Sequence, residues 1–178
     1  MATWIALFRG INVGGRNRLA MADLVATLES AGFSDVRTYI QSGNAVFNAR
    51  GGTPTSLAAR ISAAVQRAHG LQPKVLVLNR TALAQAVTAN PFPHALAQPG
   101  SLHLCFLLGK LAASDLASLA RVRTGKEEFA LAGRVLYLHT PAGFGSSRLA
   151  ASTERLLKVD ITARNWSTVS ALLRMSGG

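Results

Sequence analysis

Apolar and polar positions alternate in blocks that predict a mixed fold. "TWIALF" (3–8) is apolar throughout and predicts a buried strand. In "MADLVATLESAG" (21–32), Met21, Leu24, Val25, Leu28 and Ala31 share one helical face, and Gly32 is a stop signal. "DVRTYIQ" (35–41) and "NAVFNA" (44–49) are rich in strand formers and are joined through "SG", a hairpin signal. "TPTSLAARISAAVQRAHG" (53–70) carries a capping threonine, Pro54 for the first turn and Gly70 as terminator. Its apolar face is Leu57, Ile61, Ala64, Val65 and Ala68. "KVLVL" (74–78) is a fourth strand, and "TALAQAVTA" (81–89) a helix that ends before the prolines of "NPFPHALAQPG".

This β-α-β-β-α-β order is the ferredoxin-like one. The second half nearly repeats it: strand "LHLCFLLG", helix "SDLASLARV", hairpin "EFALAG"/"RVLYLHT" and helix "STERLLKV". It then ends on a helix, "RNWSTVSALLRM", where a last strand is due. The fold expected is α+β: two ferredoxin-like halves with antiparallel sheets and helices on one face, plus a C-terminal helix. The expected division is a first subdomain over 1–90, a linker over 91–100 and a second subdomain over 101–178. Thr162 is the N-cap expected for the last helix, placing Arg164 and Asn165 in its first turn and Trp166, Val169 and Leu173 on its buried stripe.

Composition adds a sign. Hydrophobic residues make up 49% of the 178 positions and charged residues 15%, so a sizeable core is available. The formal net charge is +11, from 19 Lys and Arg against 8 Asp and Glu, which favours polyanionic or phosphorylated partners. No carboxylate occurs between Asp35 and Asp115, while seven basic residues fall in that window. One cysteine, Cys105, excludes an intrachain disulfide. The chain shows no signal-peptide pattern and no membrane span, so a cytoplasmic protein is expected.

The candidate chemistry follows from the topology. In a βαββαβ unit the loop after strand one and the hairpin between strands two and three lie at one end of the sheet, with "HGLQP" close by. The loop, "RGINVGGRNR" (9–18), carries Arg9, Arg16 and Arg18 beside Gly10, Asn12, Gly14 and Gly15. It leads into a helix N-terminus, where anions are favoured. The two adjacent glycines allow backbone N–H groups to turn inward. The loop lacks the Gly-Lys-Ser/Thr ending of a nucleotide-phosphate loop, and "GFGSSR" lacks the third glycine of a dinucleotide fingerprint. Strand alternation puts Arg37, Tyr39 and Gln41 on one face, suited to stacking and hydrogen bonding a base or a peptide. Phe47 alone on the third strand excludes the RNA recognition motif.

In this reading Arg9, Arg16 and Arg18 hold phosphate, while Asn12, Gln41 and Asn44 orient the ligand and Tyr39 stacks. Arg164, a cation opposing a helix dipole, and Asn165 join the candidate set. Ser42, on the hairpin, is the one serine considered as a nucleophile. His69, His94, His103 and His139 show no metal-ligand spacing, so neither a metal nor a cofactor is expected. Cys105 shares strand parity with His103 and reads as packing.

Taken together, "FRGINVGGRNRLAMADL", "TYIQSGNAVF" and "ARNWSTV" resemble the bacterial DUF1697 family over essentially the whole chain. The resemblance implies an α+β fold with no assigned biochemical function, so it supplies no catalytic residues. It carries over Arg9, Gly10, Asn12, Gly14 and Gly15; Tyr39, Gln41, Ser42, Gly43 and Asn44; and Arg164, Asn165 and Trp166. Ser167 and Ala45 depart from the usual Asn and Val, and Ala20 slightly thins the basic loop. The leading expectation is binding of nucleic acid or a phosphorylated small molecule. The alternatives are an enzyme acting on a phosphorylated or carboxylated metabolite through Ser42 or Tyr39, and a homodimeric interaction module using an open sheet face. Asp23 also offers a purely structural explanation, by pairing with a loop arginine.

Overall fold

The computed structural model describes residues 1–111 and 115–177. Its contacts divide the chain into two units, Met1–Ala84 with Ala171–Gly178, and Gln85–Ser170.

The first unit runs β1 (Ala2–Arg9), α1 (Met21–Ser30), β2 (Ser34–Thr38), β3 (Asn44–Ala49), α2 (Pro54–His69), β4 (Lys74–Asn79), and enters α3 (Arg80–Thr88). Its antiparallel sheet has the order β2-β3-β1-β4, the ferredoxin-like arrangement. β1 is buried on both faces, as its continuous apolar run requires. Trp4, Ala6 and Phe8 share a core with Leu24 and Leu28 of α1 and Leu57, Ile61 and Val65 of α2. The punctuation read for α2 holds. Thr53 and Ser56 form a reciprocal capping box, Pro54 opens the helix, and Gly70 closes it in the left-handed conformation (φ 68°). Ala68 lies on the exposed side, narrowing the expected apolar face.

The second unit repeats the plan with β5 (Leu102–Leu107), α4 (Asp115–Val122), β6 (Glu128–Ala132), β7 (Val135–His139), α5 (Arg148–Leu157) and β8 (Ile161–Asn165). Its antiparallel sheet order, β6-β7-β5-β8, matches that of the first unit strand for strand. Two short 3-10 turns, Pro93–Ala97 and Pro99–Ser101, precede β5, with Phe92 and Ala95 buried. Ser114, expected to open the helix of "SDLASLARV", lies outside the described residues. α5 begins four positions before the expected start, where the Ser147 hydroxyl accepts from the Ala150 N–H.

Two expectations are corrected. The first concerns the C-terminal helix: residues 161–165 form β8, completing the second βαββαβ unit, and α6 spans Trp166–Met175. Thr162 is a buried strand residue opposite Phe106, and Arg164 pairs with Leu104, so neither belongs to a helix. Asn165 is the cap, its Oδ1 accepting from the Thr168 N–H at 2.9 Å. The fully buried positions of α6 are Val169 and Leu172, not Trp166 and Leu173. The helical period was extended too far upstream, across a segment whose Ile161 and Thr162 are strand formers.

The second correction concerns the hairpin. β2 stops at Thr38 because Ile40 adopts φ 48°, which breaks the extended alternation. Tyr39 and Gln41 therefore sit in the β2–β3 connection and do not share a strand face with Arg37. Arg37 instead donates to Asp35 Oδ2 at 3.2 Å and to the Met175 carbonyl at 3.0 Å.

Candidate functional site

The loop after β1 is held by its own polar groups. Asn17 Nδ2 donates to the Gly10 carbonyl (2.7 Å), and the Asn12 N–H donates to the Asn17 carbonyl (3.1 Å). Gly14 and Gly15 both have positive φ, 56° and 75°, and the Arg16 N–H donates to the Val13 carbonyl at 3.0 Å. This is the signature of a type I′ turn, which accounts for the glycine pair and uses the Arg16 N–H within the turn.

Asn12 ties the loop to the hairpin. Its Nδ2 donates to the Leu19 carbonyl at 2.7 Å and to the Gln41 carbonyl at 2.9 Å, while its Oδ1 accepts from the Leu19 N–H at 2.8 Å. The Phe8 N–H donates to the Gly43 carbonyl at 2.8 Å, closing the junction from the strand side. The expected neighbourhood of loop and hairpin is therefore present and hydrogen-bonded. Arg9 stands opposite Lys74 in the β1–β4 register, which brings the end of "HGLQP" to the same edge.

This scaffold changes the roles assigned to the asparagines. The Asn12 amide is spent on the loop itself. Asn44 is fully buried, and its Nδ2 donates to the Tyr39 carbonyl (3.1 Å) and the Ser42 hydroxyl (3.0 Å), which shapes the hairpin turn. Both side chains are engaged within the loop and hairpin. Gln41 and Ser42 are exposed and Tyr39 is half-buried.

What the scaffold presents outward is Arg16 and Arg18, both exposed, and two apolar side chains. Val13 is 64% exposed at the turn, and Ile40 is 53% exposed in the hairpin. These two flank the Asn12–Gln41 bond in sequence. Ile40 is strained as well as exposed, since a β-branched side chain disfavours the left-handed region. No salt bridge among the described residues involves Arg16, Arg18 or Asp23, so Asp23 does not neutralise the loop. α1 starts at Met21 after Ala20, which offers no side-chain cap.

Arg164 and Asn165 belong to the second unit. Arg164 Nη1 donates to Thr162 Oγ1 at 3.0 Å and to the Ala163 carbonyl at 2.8 Å, and burial lowers its guanidinium pKa to about 10. The dipole argument that made Arg164 a candidate does not apply to a strand residue. Cys105 is buried, and burial, reinforced by the Glu154 charge, pushes its thiol up to about 12. It is packing, as its place in an apolar strand indicates. His103 stacks on Phe144 at 3.9 Å, and burial lowers its pKa to about 4.

Two clusters in the second unit were not anticipated. In the first, the buried Glu127 carboxylate accepts from the Ser147 hydroxyl and from the N–H and hydroxyl of Thr124, at 3.0 and 3.2 Å. Burial pushes the Glu127 pKa up, but these donors outweigh it and hold the group below the ordinary carboxylate range. Its contribution to stability is therefore present above the ordinary range and lost as the pH falls through the depressed value. Glu127→Gln is expected to destabilise the protein by about 1–2 kcal/mol at neutral pH and to flatten the acid limb of its stability curve. Denaturant titrations between neutral and acidic pH check this.

The second cluster is His94, Glu128 and His139. His94 Nε2 and His139 Nδ1 each lie 2.8 Å from Glu128 Oε2. Local spacing could not reveal it, because the three residues come from three segments. One signal was available: counting outward from the Gly133–Arg134 turn pairs Glu128 with His139 across the hairpin.

Residues 1–137 match the sequence model of a family described as "Protein of unknown function (DUF1697)". Among solved structures, a conserved bacterial protein from Streptococcus pneumoniae, SP0830, is similar at 21% identity and a TM-score of 0.76, with 98% of each chain covered. At that identity the likeness shows the fold alone. No curated protein matches the chain. No helix among the described residues is long and apolar enough to cross a membrane.

Proposed function

Because the chain belongs to the DUF1697 family, whose description assigns no activity, we propose from the site itself that this protein binds single-stranded nucleic acid through the loop after β1 and the neighbouring hairpin. The observation that carries this reading is a loop locked by its own hydrogen bonds that turns Arg16 and Arg18 outward, without acidic partners, next to exposed Val13 and Ile40. Charge-assisted contacts from the guanidinium groups fix phosphates, and the apolar side chains offer surface to unstacked bases. An exposed loop suits a polymer better than a small metabolite, which is usually held in a concave pocket. The net charge of +11 supplies attraction at longer range. Asn12, Gly14, Gly15 and Asn44 act by holding the loop and hairpin in shape, so binding requires little ordering of the backbone.

Fluorescence anisotropy with a short labelled single-stranded RNA, titrated at several salt concentrations, tests the reading. Wild type is expected to bind with a steep salt dependence. The Arg16→Ala/Arg18→Ala double variant is expected to lose more than about tenfold in affinity at low salt. Its log–log salt slope should be shallower by about 1.4, from two lost phosphate contacts at roughly 0.7 each. Both side chains are exposed, so the melting temperature should not move. Unchanged affinity in the variant removes the loop from the site. Absence of binding by wild type even at low salt overturns the nucleic-acid reading and directs attention to a phosphorylated small molecule.

A further inference from the structure

We propose that His94, Glu128 and His139 form a binding site for a divalent first-row transition metal, with Zn²⁺ the best match. Two imidazole nitrogens and one carboxylate oxygen are a donor set suited to such ions, and harder cations prefer oxygen alone. All three ligating atoms lie within 4.8 Å of one another. Around a tetrahedral ion with bonds of about 2.0–2.1 Å, donors sit roughly 3.3 Å apart. Each 2.8 Å hydrogen bond to Glu128 Oε2 therefore opens by about half an ångström, while the two ring nitrogens, up to 4.8 Å apart, close by as much as about 1.5 Å.

The backbone supports this geometry. Glu128 and His139 face each other directly in the β6–β7 ladder, so their spacing is set by sheet register. His94 is delivered by the 3-10 turn over Pro93–Ala97, anchored by buried Phe92, whose N–H donates to Asn90 Oδ1 at 3.0 Å. The Phe92 ring lies 6.0 Å from the His94 ring and 6.3 Å from the His139 ring, an apolar wall beside both. The His139 side chain is 12% exposed and that of His94 57% exposed, so the cluster is closed on one side and open on the other. A fourth coordination position would face the open side and take water or an exogenous ligand.

The proton count is consistent. A carboxylate only accepts, so both ring nitrogens carry their protons toward Glu128 without metal. The ion takes these two nitrogens, and the single proton of each neutral ring moves through solvent to the other nitrogen, Nδ1 of His94 and Nε2 of His139.

Calorimetric titration of the tag-free, chelator-treated 178-residue chain with Zn²⁺ tests the site, with Co²⁺ as the spectroscopic probe. The expected result is one ion per chain and, with Co²⁺, visible ligand-field bands. Loss of outer-shell partners alone weakens metal sites by about 10–100-fold, so His94→Ala is expected to weaken binding by more than about 100-fold. His94 is exposed, so this variant should keep the metal-free melting temperature of wild type. Glu128→Gln should weaken binding as well. Imidazole ¹⁵N shifts on Zn²⁺ addition should move at His94 Nε2 and His139 Nδ1. No binding, binding of wild-type strength in His94→Ala, or shifts confined to His69 or His103 would each overturn the proposal.

Discussion

Gly43→Ala is expected to destabilise the first unit by about 3 kcal/mol or more and to disturb the candidate site at its root. A Cβ at this position would stand 2.8 Å from Cγ1 and Cδ1 of Ile11 and 2.8 Å from Cβ of Phe8. Ile11 and Phe8 are buried, and the Gly43 carbonyl is fixed by the Phe8 N–H, so neither side can give way easily. The backbone at Gly43 also has φ 71°, which adds roughly 1–2 kcal/mol for any L side chain, on top of about 1–3 kcal/mol for overpacking. For a chain of this size the melting temperature should fall by on the order of 10 °C. Gly14→Ala provides the contrast: nothing lies within 4 Å of its would-be Cβ, so only the backbone term applies. Thermal melts of the two variants side by side check the difference.

Asn12→Asp is the second large effect, and it separates shape from charge. The side chain keeps its size and can still accept from the Leu19 N–H, but the two Nδ2 donations are lost. A carboxylate oxygen would then face the Leu19 and Gln41 carbonyls, both acceptors, at about hydrogen-bond distance. The expected loss is about 2–4 kcal/mol, less if water enters the half-buried junction. The Phe8 and Tyr39 amides, which donate to the Gly43 and Asn44 carbonyls at the same junction, should also lose hydrogen-exchange protection relative to wild type. Nucleic-acid affinity should fall even though Asn12 touches no ligand in this account, because loop and hairpin no longer move as one. Asn12→Gly removes the left-handed strain of φ 54° but also all three bonds, so it should be milder than the aspartate in stability and similar in affinity. Unchanged exchange rates in Asn12→Asp would contradict the tie.

The strand and helix order of the first unit was legible because its signals are local. The continuous run in β1 and the cap, proline and glycine around α2 each have one strong reading. Their convergence at one end of the sheet follows from handedness and order alone. The turn at Ile40 is hidden from the sequence, because nothing in a β-branched residue signals a left-handed conformation; only closure of the Asn12, Gly43 and Asn44 bonds forces it. β8 is hidden for the opposite reason. Its five residues run into the helix after Asn165, and the helical period of the later residues masked the strand. Asn12 and Asn44 are legible as polar motif positions but not as scaffold, since most of their partners are backbone groups that no sequence pattern encodes. His94, Glu128 and His139 illustrate the same limit. Register supplies one pair, and only the folded second unit brings in the third.

Joint binding of a single strand by the β1–α1 loop and the β2–β3 connection can be checked by ¹H–¹⁵N chemical-shift mapping. The ¹⁵N-labelled protein would be titrated with a short single-stranded RNA at low salt. Saturable shifts are expected on the amides of residues 10–18 and 39–43 and on the Arg16 and Arg18 guanidinium groups, reversed by added salt. Shifts scattered over basic residues across the chain, or concentrated elsewhere with these two segments unmoved, would contradict it.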